Sequence, residues 1–225
     1  MRFSGPVRIG LKSVKANAVP MVVLWGVAFL ILIAYYHNAC VESFLKVLGN
    51  WQLEYGKLAS FVNRVVFGGV IPGAFLVAQP SVRPRHPILS VAILCLWSGA
   101  TSIPQDCWFS LLDRIFGDEP TVAVVFKKTL VDQIFWAMFV MTPLNSIFFP
   151  WWGNNLSWRK SCRGNCWRTF ARYYVANLLT NWAVWIPVVV VIYSFPLELQ
   201  MTVSSFTCSI WALNCCWLGE WKGGE

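Results

Sequence analysis

The sequence predicts an all-α, multi-pass transmembrane helix bundle of about six spanning segments, and three observations carry that prediction. Hydrophobic residues make up 57% of the chain and charged ones 12%, against about 45–50% and 25% in ordinary soluble domains. Stretches without charge, each about the length of a spanning helix, recur along the chain. Counted as crossings, they sort most basic residues to one side. A chain this poor in charge cannot cover a water-facing surface, so composition excludes a soluble enzyme. The 14 Trp residues fit the same solvent, because Trp collects where bilayer meets water.

Taken in order, the intervals between charges set the spans. Lys15 to His37 is the first, centred on Val22 to Ala34. Arg64 to Arg83 is the second, with Pro72 placed to bend or end a helix. His86 to Asp106 follows, then Asp132 to Arg159, Arg172 to Glu198, and Glu198 to Glu220. Residues 1–50 are read as a basic N-terminus, first helix and loop, and 51–225 as the main bundle. With six crossings, twelve basic residues face one side and five the other, Arg64 standing at the mouth of the second span. Both termini then lie on the positive side. Four basic residues before Glu42 resemble a signal or targeting peptide, but the long apolar run and the bulky Tyr35-Tyr36-His37 that follows favour a retained helix.

Cys107 to Phe116 reads as amphipathic, with Trp108, Leu111, Leu112 and Ile115 on one face and Asp113 and Arg114 elsewhere. The turn Gly117-Asp118-Glu119-Pro120 ends it, and a new helix is expected near Thr121.

Polar residues inside apolar runs are the functional candidates, since a bilayer makes them costly unless paired or wet. Asp132 and Gln133 stand where an apolar helix begins. Asp132 reads equally as an interfacial carboxylate at a helix N-terminus. Asn145 lies within the same span. Asn181 and Trp185, four apart, share a helical face just before Pro187. That constellation is either a packed kink or a bend shaping a wet path.

The eight Cys residues are poorly placed for a metal site, with only His37 and His86 to help and those on opposite sides. No metal or other cofactor is expected. No phosphate-binding loop, nucleophile elbow or paired-His helix appears, so the chain is not read as an enzyme. The net charge of +8 is assigned to topology and lipid headgroups rather than nucleic acid.

The motifs also carry a resemblance. Trp108-Phe109-x-x-Leu112-Asp113-Arg114, then Lys127-Lys128-x-x-x-Asp132-Gln133, then Thr180-Asn181-Trp182-x-x-Trp185-x-Pro187 resemble successive signatures of the family of the 22-kDa peroxisomal membrane protein and the Mpv-seventeen mitochondrial protein. Pro196, Gln200 and Trp211 keep the spacing of that family's later Pro, Arg and Trp. The match covers about half the chain, Trp108 to Trp217. It departs where Ile186 separates the Trp from the Pro, where Val189 and Ile192 replace amides, where Gln200 replaces Arg, and in an added first helix, Val19 to Tyr36.

The resemblance implies a channel-like or metabolite-transport role in membrane or organelle homeostasis, in a bacterial plasma membrane or a mitochondrial inner membrane. Asp132, Gln133, Asn145, Asn181, Trp185 and Pro187 are the expected pore or bundle-polar residues. Partners are the lipid bilayer, small solutes and a homo-oligomeric copy. The alternative is a non-conducting structural or assembly protein, with Gly68, Gly69 and Gly73 serving close helix packing.

Overall fold

A computed structural model describes residues 18–78, 84–161 and 166–219, with a few positions before 18. Side chains at 19, 20 and from 210 onward lie outside the described residues. Every element there is helical: α1 Ala18–His37, α2 Ala39–Tyr55, α3 Lys57–Ala78, α4 Pro87–Phe116, α5 Val122–Gly153, α6 Trp158–Ser161, α7 Cys166–Tyr193 and α8 Leu197–Gly219.

Helices α3, α4, α5 and α7 are each long and apolar enough to cross a membrane. The pair α1 and α2 makes a fifth if counted as one broken span, bent by 104°. The expected count of about six is therefore reached only to four or five. The sixth interval falls on α8, whose far half lies outside the described side chains. The bend sits at Asn38, whose extended backbone breaks the helix and whose side chain caps α2 by accepting from the Cys40 and Val41 amides. Helix α2 crosses the boundary placed at residue 50, and it buries Leu45, Gly49 and Gln52 along one face.

The added first helix docks rather than standing apart. Met21, Leu24, Ala28 and Tyr35 are buried along it. Trp25 Nε1 donates to the Val184 carbonyl at 3.2 Å, and Tyr36 Oη donates to the Ser194 carbonyl at 2.7 Å.

Burial is inverted relative to a soluble bundle. Asn145, Asn177, Thr180, Ser204 and Ser205 are inside, while Leu30, Phe75, Leu96 and Phe139 point outward. Outward apolar faces of this extent need an apolar solvent or a partner.

Two helices change pitch ahead of a proline. Helix α3 is π-helical over Val66–Val70, before Pro72. Helix α5 is π-helical over Asp132–Met141, before Pro143. In that wider register a donor at 72 would serve the Phe67 carbonyl and one at 143 the Met138 carbonyl, and proline has no N–H to give. Neighbouring helices supply hydroxyls instead. Ser209 of α8 donates to the Phe67 carbonyl, and Tyr174 of α7 donates to the Met138 carbonyl at 3.0 Å. Ser98 of α4 donates to Gly68, the carbonyl an α-register would orphan, at 2.8 Å. Thus Pro72 leaves α3 continuous instead of ending it.

Glycines bring α3 and α4 together. A Cβ on Gly69 would lie 2.6 Å from Cys95 Cα, and one on Gly73 2.8 Å from Val91 Cγ1. At Gly69 the neighbour is backbone, and contact this close requires glycine.

The amphipathic reading of residues 107–116 needs correction. Phe109, Leu112 and Asp113 form the buried face, while Leu111 and Ile115 are exposed. The reason is an ion pair: Asp113 turns inward to meet Lys128. The turn is as expected, with α4 ending before Gly117 and Thr121 capping α5.

Candidate functional site

The turn at 117–120 folds α4 and α5 into an antiparallel hairpin, and two side-chain pairs lock its register. Nearest the turn, Lys128 Nζ binds the Asp113 carboxylate, both buried. One to two helical turns further in, Trp108 Nε1 donates to Asp132 Oδ1 at 2.9 Å. The Trp108 ring stacks on Trp136 at 5.6 Å between centroids. Helix α7 closes the group, with Tyr193 Oη donating to the same oxygen at 3.0 Å. Gln133 Nε2 donates to Asp132 Oδ2 at 2.9 Å. Three of the family-like motif positions, Trp108, Asp132 and Gln133, therefore form one contact network, and two more, Asp113 and Lys128, form the pair beside it.

Asp132 is thus held by three neutral donors, with no cation within ion-pair distance among the described residues. Across the bundle stands its counterpart. Arg64 of α3 is 5% exposed, donates to Gln105 Oε1 at 2.9 Å and Ser204 Oγ at 3.0 Å, and meets Cys208 Sγ. It too has no oppositely charged partner among the described residues.

Between the two lies a cavity of about 70 Å³, space for a few water molecules. Arg64 and Asp132 are the charged residues lining it. Gln133, Asn145, Asn181 and Trp185 line it as well, so five of the six pore candidates meet at one site. The Asn145 and Asn181 side chains have no hydrogen-bond partner among the described residues, which leaves their amides available to whatever fills the space.

Pro187 does not line the cavity, and α7 runs unbroken through it. Gln200 is buried at the start of α8, just after Pro196, and donates to the Phe195 carbonyl at 3.1 Å. It acts there in the reversal between α7 and α8. Arg114 is exposed at the hairpin end. The Trp211 side chain, like Cys162, Cys215 and Cys216, lies outside the described residues.

Sequence reasoning missed Arg64 and Gln105, and it gave Lys128 a place in a motif but no partner. Arg64 served only to mark a span boundary. Among the described residues no three His, Cys, Asp or Glu side chains come together as a metal-binding group.

No family model matches the chain, and no curated protein or solved structure matches it. The motif resemblance rests on its own residues.

Proposed function

We propose that this chain is an integral membrane protein that passes small polar solutes through the cavity between Arg64 and Asp132. One observation carries the reading: polar residues scattered over α3, α4, α5 and α7 converge on a single interior space. Apolar faces outside and, inside, a largely apolar space that several polar side chains reach is an arrangement a solute path can use. The motif resemblance supports placing the chain in the Mpv-seventeen family. Either a bacterial plasma membrane or a mitochondrial inner membrane suits the charge asymmetry.

The test is efflux from liposomes holding the purified protein, with neutral and charged solutes of graded size. Size-limited flux, altered by Asp132→Asn and Asn181→Leu in variants that stay folded, is the expected result. Flux no greater than from empty liposomes, across voltage and pH, would sink the reading. The scaffold alternative would then lead, favoured by the backbone-close α3–α4 packing at Gly69.

A further inference from the structure

We infer that the cavity is a binding site for a small zwitterion, with Arg64 receiving its carboxylate and Asp132 its ammonium group. The inference deepens the solute-path reading and rests on taking this cavity as a solute site.

One cation and one anion line the space, and neither has an ionic partner among the described residues. A buried charge without a counter-charge is costly, by several kcal/mol per ion after relaxation. A lone anion entering the cavity would meet Arg64 but also face Asp132. A lone cation would have the reverse problem. A solute carrying both signs at its two ends meets both.

Hydrogen-bond capacity gives the same polarity independently. The Arg64 guanidinium has five N–H donors. Three are engaged, by Gln105, Ser204 and Cys208, and Nε is buried with no partner. At the other end Gln133 Oε1 is a buried acceptor with no partner, beside the Asp132 carboxylate. A spare donor thus accompanies the cation and a spare acceptor accompanies the anion. Each marks the sign of partner that its end of the site lacks. Trp136 and Trp185 add aromatic faces to the lining, and such faces attract an ammonium ion.

The experiment is calorimetric titration of the full chain in nanodiscs with glycine, acetate, methylammonium and glycerol. Glycine should bind saturably, with acetate and methylammonium each weaker by about tenfold or more. Arg64→Gln should weaken glycine by at least about tenfold while sparing methylammonium, and Asp132→Asn should weaken it similarly while sparing acetate. The comparison among ligands on the unmodified protein needs no variant to fold. Acetate or methylammonium binding as tightly as glycine, or no saturable glycine binding, would overturn the proposal. Liposome flux separates the two readings: glycerol flux without glycine binding ends this one alone, and glycine binding without flux ends the solute path alone.

Discussion

Lys128 is 1% exposed, and its ammonium group rests on Asp113 within 5.9 Å of the Tyr193 ring. Taking two charges out of water costs more than an isolated contact returns, so such a pair fails badly when one partner is lost. Lys128→Met is therefore expected to destabilise the bundle by about 3–5 kcal/mol, and Asp113→Leu by a similar amount. The double variant should recover most of the loss, since it leaves no orphan charge. Unfolding in detergent, followed by a near-ultraviolet tryptophan signal, measures all three. Additive losses in the double variant would show that the pair is not the unit of stability. This residue also shows the limit of sequence reading. Lys127 and Lys128 look alike in a charge count, yet adjacent helical residues point about 100° apart. One is exposed and one is buried, and only the location of Asp113 decides which.

At the scale of elements, the sequence announced its helices well and their irregularities poorly. Long apolar intervals betray spans because a bilayer imposes their length. The polar residues Asp132, Gln133, Asn145 and Asn181 stood out because they interrupt apolar runs. Arg64 and Gln105 were hidden because charge itself was used to delimit the spans. The prolines at 72 and 143 were visible, but the π segments ahead of them were not, because their stabilising hydroxyls come from other helices. That dependence is testable. Ser98→Ala should cost about 1–2 kcal/mol by leaving the Gly68 carbonyl short of a donor. Placed on Pro72→Ala, the same change should cost much less, because residue 72 then has an N–H and the segment can return to an α-register in which that N–H serves the Gly68 carbonyl. A thermal-stability cycle over the four proteins reads the coupling. Equal losses from Ser98→Ala in both backgrounds would refute the capping account.

For the whole molecule, the question is which helices cross. Cys40 and Cys166 are exposed free thiols, one at the start of α2 and one at the start of α7. Between them lie α2, which by itself is not among the helices long and apolar enough to span, and α3, α4 and α5, which are. Three crossings put the two thiols on opposite faces. The basic residues around Cys166, including Arg159, Lys160 and Arg168, assign it to the positive side. Variants retaining one of the two thiols, with Cys208→Ser to keep a polar neighbour for Arg64, can be treated with a membrane-impermeant maleimide in right-side-out and inverted vesicles. Cys166 should label only in the orientation that exposes the positive side, and Cys40 only in the other. Labelling of both from one face would leave an even number of crossings between them. One of the three helices would then not span, and the cavity they line together could not be a path from one face to the other.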